Sequence, residues 1–195
     1  MIPQVIAIGG AVGAGKSSVA RLLRDRLAER ATLEPDSGSS LRLLRSDVLR
    51  KQLLDIDPLS RLPDKYYENE RYGRLIYDTL HEVARMAVEA GDLVLLDATY
   101  ARRWQRDALE AAVGNARFRG YWLEVSIEER LKRLALRSRD ASDAGPTFAA
   151  EQDVDRPDDE AQWECIDAGA GPLEQLAEML AARICGEDRS KSISD

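Results

Sequence analysis

Short apolar runs alternate with longer amphipathic stretches along this chain. Val5–Ile8, Leu41–Arg45, Leu93–Asp97, Tyr121–Val125 and Trp163–Asp167 are brief and rich in aliphatic or aromatic side chains, which predicts five strands. Between them the spacing turns helical. A first helix is expected from Ser18 to Arg30, a short one over Asp47–Leu54, and a long one ending at Ala90, where Gly91 sits at the position of a helix-ending glycine. Leu75, Leu80, Val83, Ala84, Ala87 and Val88 define the apolar face expected of that long helix. Ser126-Ile127-Glu128-Glu129 has the form of a capping box, followed by a stripe of Ile127, Leu131 and Leu134 expected to be buried. A final helix is expected from Leu173 to Ile184, after Gly169-Ala170-Gly171-Pro172. Strands that alternate with helices in this way predict an α/β domain built on a parallel sheet.

Polar breaks punctuate the pattern. Glu34 to Ser40 reads as a loop without chemistry, Asp57–Asp64 as irregular, and Ser138 to Pro146 as a breaker cluster. Residues 147–160 are charged and expected to be partly helical, and 186–195 is expected to be a disordered tail.

Composition narrows the class. At 195 residues the chain fits one domain with a well-buried core. No apolar run approaches the roughly 20 residues a membrane span needs, and the first residues lack the pattern of a signal peptide. Cys165 and Cys185 have no metal-like spacing, which suits a reduced cytoplasm. The net charge of −7 argues against broad binding to nucleic acid while leaving room for a local basic groove. Lysine is scarce and arginine abundant, a bias that weakens any single arginine as evidence. His81 is the only histidine, which argues against a zinc site or a histidine-based triad; a surface or half-buried place on the long helix is expected for it.

The chemistry starts at Gly10-Ala11-Val12-Gly13-Ala14-Gly15-Lys16-Ser17, which fits G-x-x-x-x-G-K-[ST] between the first strand and the first helix. Glycines let successive N–H groups, including that of Ser18, turn inward and cradle phosphates at the positive end of a helix. Lys16 then reaches the β- and γ-phosphates of ATP, and the Ser17 hydroxyl is placed to ligate Mg2+. Asp97 ends an apolar strand where a metal-organising carboxylate is expected; a strand-end residue capping the next turn is the plain alternative. Thr99 and Tyr100 follow at the edge where open α/β sheets bind ligands. Asp47, in Arg45-Ser46-Asp47, can accept the proton of an attacking hydroxyl or hold that hydroxyl in line. Ser46 and Asp47 also suit a helix N-cap, and both roles can hold, with Ser46 as the cap. Arg50, about one turn on, can bind an acceptor phosphate or pair with an acid. Arg130, Arg133 and Arg137 share a helix face, from which Arg133 and Arg137 can reach a phosphoryl group; a solvated charged face is the alternative.

With these residues the chain resembles the P-loop small-molecule and polynucleotide kinases, and within them bacterial predicted kinases of AAA type, often fused behind aminoglycoside-phosphotransferase-like domains. The resemblance rests on Gly10–Ser18, Leu44–Arg50, Val94–Tyr100, and Arg133 through Arg137 to Asp140-Ala141-Ser142-Asp143-Ala144, and spans roughly residues 3–184. It implies a three-layer fold of nucleoside- and nucleotide-kinase type, with a five-stranded parallel sheet in the order 2-3-1-4-5. It further implies a kinase domain over 1–185, an acceptor-binding region at 47–74, and a lid at 138–160, with Arg133 and Arg137 on the helix leading into it as the lid cations. Asp47 becomes the acceptor-side carboxylate, and adenine falls between the lid helix and the Gly169–Pro172 loop. Asp55 to Arg74, with Tyr66, Tyr67 and Tyr72, is expected to shape the acceptor pocket.

The expected activity is transfer of the γ-phosphoryl group of ATP to a hydroxyl of a small-molecule acceptor. A polynucleotide 5′-hydroxyl kinase and a regulatory ATP-binding module are the alternatives. A guanine-reading Asn-Lys-x-Asp is missing, and Asp97 is followed by Ala98 rather than by a water-activating acid. Both facts favour an acceptor over switching or hydrolysis.

Overall fold

The structure is a computed structural model that describes residues 4–31, 40–60, 62, 65–114, 116–136, 143, 145–158 and 160–186. Five parallel strands form one sheet in the order β2-β3-β1-β4-β5. They are β1 (Val5–Gly10), β2 (Leu41–Arg45), β3 (Leu93–Asp97), β4 (Phe118–Glu124) and β5 (Trp163–Asp167). The expected order and the expected strands are both present; β1 runs two residues further, and β4 starts three residues earlier.

The period of two along each strand sorts the core into two layers. Ile6, Ile8, Leu95, Tyr121, Leu123 and Ile166 face α1 (Lys16–Ala31) and α8 (Leu173–Cys185). Val5, Ala7, Val94, Leu96, Trp122 and Trp163 face α4 (Glu70–Glu89) and α5 (Arg103–Val113). β1 is buried along its whole length because it is covered on both faces and paired on both edges. The short helices α2 (Ser46–Gln52) and α3 (Lys65–Glu68) sit between β2 and α4, while α6 (Ile127–Ala135) and α7 (Pro146–Glu151) lie between β4 and β5 in the chain. No helix among the described residues is long and apolar enough to cross a membrane.

Local signals explain the boundaries. Asn69 caps α4 by accepting the Tyr72 N–H at 3.1 Å, and Gly91, with φ of 88°, turns the chain out of that helix as expected. Ser126 Oγ caps α6 by accepting the Glu129 N–H at 3.3 Å.

Several expectations change. Leu75 and Val83 are exposed, and the buried face of α4 is instead Ile76, Tyr77, Leu80, His81, Ala84 and Ala87. His81 is thus fully buried, neither surface nor half-buried, because Tyr77 and Tyr100 enclose its ring. The stripe Ile127, Leu131 and Leu134 is only half-buried. Helix α2 begins at Ser46 with Arg45 in the capping position and no side-chain cap, so Ser46 is not its cap. The 34–39 part of the first polar loop, residues 187–195, Arg137 and most of Ser138–Ala144 lie outside the described residues.

Candidate active site

All strands of a parallel sheet end on one side, and there the chain gathers its polar side chains. The loop after β1 is the centre of that edge. Gly13 and Gly15 have φ of 85° and 94°, a region where a side chain is strained. At Gly13 a Cβ would also lie 2.8 Å from the Arg130 carbonyl oxygen. Glycine there lets the loop close against α6. The loop is held from several sides. The Gly10 N–H donates to the Thr99 carbonyl at 3.0 Å, and the Val12 N–H donates to Gln152 Oε1 at 2.8 Å. Arg130 donates to the Val12 carbonyl (3.2 Å) and Arg133 to those of Ala14 (3.2 Å) and Ala168 (2.8 Å). Lys16 Nζ folds back onto the Ala11 carbonyl at 2.9 Å.

A cavity of about 410 Å³ opens over this loop, lined by Gly13, Gly15, Lys16, Ser17, Arg21 and Arg133 together with Asp47 and Asp97. Three cations and the start of α1 make it a place for anions. Asp97 is 5% exposed and accepts from Arg45 Nε at 2.8 Å, opposite it in the β2–β3 register. The described residues contain no cluster of three or more His, Cys, Asp or Glu able to hold a metal. Ser17 and Asp97, both lining this cavity, are oxygen donors of the kind that could hold Mg2+.

A second cavity of about 720 Å³ adjoins the first. Tyr67, Tyr77, Trp104 and Phe148 form its aromatic walls, with Arg50, Arg74 and Asn69 among the polar groups. Ser46, Asp47, Thr99 and Val12 line both spaces. Arg50 Nη1 stands 3.5 Å from Asp47 Oδ1, and its guanidinium lies over the Tyr67 ring at 4.6 Å. Thr99 Oγ1 and the Tyr77 hydroxyl are 2.8 Å apart, and the Tyr100 N–H donates to the same phenol. Tyr100 itself has φ of 50°, a costly conformation for an aromatic residue, at the turn that presents Thr99. Burial raises the pKa of Tyr77; burial and the nearby Asp47 and Asp143 carboxylates raise that of Tyr67, so both phenols stay protonated donors.

The sequence profile of the AAA domain family matches residues 5–156, which is most of the chain. The protein belongs to the AAA domain family. No curated protein matches its sequence. Among solved structures it is similar to a gluconokinase from Sinorhizobium meliloti, at 19% identity over 98% of both chains with a TM-score of 0.61. It is also similar to the APS kinase of Mycobacterium tuberculosis in complex with AMPPNP and APS. That match has 19% identity over 95% of this chain and 98% of the other, with a TM-score of 0.64. Kti12 from Chaetomium thermophilum, in complex with ADP-AlF3, matches at 18% identity over 93% and 97%, with a TM-score of 0.61. The fold of this AAA domain is that of the P-loop kinases.

Of the residues singled out in the sequence, Val12, Gly13, Gly15, Lys16, Ser17, Ser18, Asp47, Asp97, Thr99 and Arg133 line the first cavity, and Arg50 lines the second. Gly10, Ala11 and Ala14 shape the loop without lining either cavity. Arg137 lies outside the described residues. From the 138–160 segment, Phe148, Glu151, Gln152 and Asp153 line the second cavity. Sequence reading missed Gln152, Trp104, Arg102 and the Arg45–Asp97 pair. Only the last had a signal in the sequence, since Arg45 and Asp97 each end an apolar strand.

Proposed function

We propose that this AAA domain is an ATP-dependent kinase that passes the γ-phosphoryl group of ATP to a hydroxyl of a small-molecule acceptor. One observation carries the reading: among the described residues Asp47 is the carboxylate common to both cavities. A group in that place can touch donor and acceptor together. That two of the structural neighbours are named as kinases supports the same class.

The amides of Gly13, Gly15, Lys16 and Ser17, at the start of α1, take the phosphates, and Lys16 exchanges its contact with the Ala11 carbonyl for phosphate oxygens. Arg133, and Arg137 by resemblance, supply positive charge beside the transferring group. Mg2+ held by Ser17 and Asp97 would neutralise charge on the phosphate oxygens. Asp47 accepts the acceptor's proton while the hydroxyl oxygen bonds to the γ-phosphorus. The bond from phosphorus to the bridging oxygen breaks, and its electrons leave with ADP. Because the transition state is loose, most of the protein's work is alignment. Thr99 and Arg50 position the acceptor. The aromatic walls and limited volume of the second cavity suit a small molecule better than a polynucleotide, and the net charge of −7 points the same way. A reducing cytoplasm is the setting that goes with this reading.

The test is ATP consumption measured with sugars, aminoglycosides, nucleosides and 5′-hydroxyl oligonucleotides. A small hydroxyl compound should stimulate turnover. Asp47→Asn should lower transfer by roughly 10²-fold or more while leaving ATP affinity unchanged. Basal hydrolysis that none of these compounds moves would instead make the protein a regulatory ATP-binding module. Full activity in Asp47→Asn would remove Asp47 from the chemistry.

A further inference from the structure

Asp143 is remote in sequence from α2 and α3, which help to wall the second cavity, yet its side chain is fastened to both. Lys51 Nζ of α2 lies 3.0 Å from Oδ2 and donates to Oδ1 at 3.1 Å. The Leu62 N–H donates to Oδ2 at 2.7 Å, and the Tyr67 hydroxyl of α3 donates to the same oxygen at 3.1 Å. The Lys51 side chain is fully buried and that of Asp143 is 9% exposed. A pair so buried pays a large desolvation cost, which only well-made hydrogen bonds offset, so it is weak as a device for stability alone.

The contacts continue toward the reacting centre. Asp143 holds the Tyr67 phenol, and the Tyr67 ring lies under the Arg50 guanidinium. Arg50 is 8% exposed, and its Nε finds no hydrogen-bond partner among the described residues. The side chain is steered by the ring beneath it and by Asp47, 3.5 Å from Nη1. We propose that Asp143 is a positioning residue for the acceptor side of the site: it sets Tyr67 under Arg50, and through Arg50 it aims the Asp47 carboxylate. The proposal rests on the kinase reading for what Asp47 then does.

The arginine Nε–H region of a nitrogen–proton correlation spectrum reports the placement of Arg50 directly. A buried Nε–H above an aromatic ring gives a protected, ring-shifted signal, assigned by its loss in Arg50→Lys. In Asp143→Asn and in Tyr67→Phe, which keeps the ring but drops its bond to Asp143, that signal should move and exchange faster. The double variant should add little to either. An unmoved Arg50 signal in folded Tyr67→Phe overturns the proposal and leaves Asp143 an anchor of the fold; this variant serves even if Asp143→Asn does not fold. In the turnover assay, Asp143→Asn should lower kcat by roughly 10²-fold on a sugar, nucleoside or oligonucleotide that the wild type phosphorylates, with KM for ATP unchanged. Unchanged kcat also overturns it. If the wild type phosphorylates none of them while the Arg50 signal moves in both variants, the kinase reading falls and the placement of Arg50 by Asp143 stands.

Discussion

His81 shows how far a single side chain's surroundings can depart from its type. Its imidazole is buried on α4 and stacked parallel to Tyr100, with Tyr77 against its edge. Among the described residues its Nε2 meets only the Tyr100 hydroxyl, at 3.4 Å. Burial lowers its pKa from 6.5 to about 4, so the folded protein holds it neutral. Above pH 6.5 folded and unfolded chains agree and nothing is lost. Between pH 6.5 and 4 the unfolded chain takes up a proton that the folded one refuses. Stability should therefore fall across that window, by about 3 kcal/mol at its lower end. The lone histidine gives a single pair of imidazole carbon-bound proton resonances, which should stay unshifted until pH approaches 4. Titration near 6.5 would show the ring to be solvated. In urea unfolding, His81→Gln should lose less stability than the wild type over the same window.

Elements were legible wherever their pattern was simple. Five apolar runs placed the five strands, since strands covered on both faces need little but apolar side chains. Helices were harder, because buried polar groups disguise the face. On α4, Tyr77 and His81 belong to the core while Leu75 and Val83 do not. Helix α5 was not foreseen, and Arg106 explains why. A fully buried arginine breaks the apolar period that would have marked this helix. Its guanidinium grips Glu160 with two bonds of 2.7 Å and donates to the carbonyls of Tyr100 (2.8 Å) and Asp155 (2.7 Å). Those bonds hold the segment after α7 against α5, beside the second cavity. Arg106→Met should destabilise the protein by about 3–5 kcal/mol, because it leaves a largely buried carboxylate and two carbonyls without their donor. A shift in the urea midpoint worth under about 1 kcal/mol would mean that water replaces the arginine.

At the scale of the molecule, the site divides into a local half and a distributed half. The phosphate loop could be read directly because its residues are neighbours in sequence. The rest joins positions far apart: Gln152 to Val12 across 140 residues, Asp143 to Lys51 across 92, and Arg45 to Asp97 across 52. No spacing rule reaches that far; for the last pair the sheet order does it, by setting the ends of β2 and β3 side by side. The same placement divides the three tryptophans. Trp122 and Trp163 are sealed against the sheet, whereas Trp104 stands half-buried in the wall of the second cavity, with the Arg74 guanidinium 4.6 Å from its ring centre. Acrylamide should therefore quench the emission of Trp104 and spare the other two, and Trp104→Phe should flatten the quenching curve. Persistent quenching in that variant would show the sheet-facing indoles to be open to solvent. A molecule that settles in the cavity shields Trp104 from the quencher, so the protein carries its own optical gauge of what occupies that space, with no label to attach.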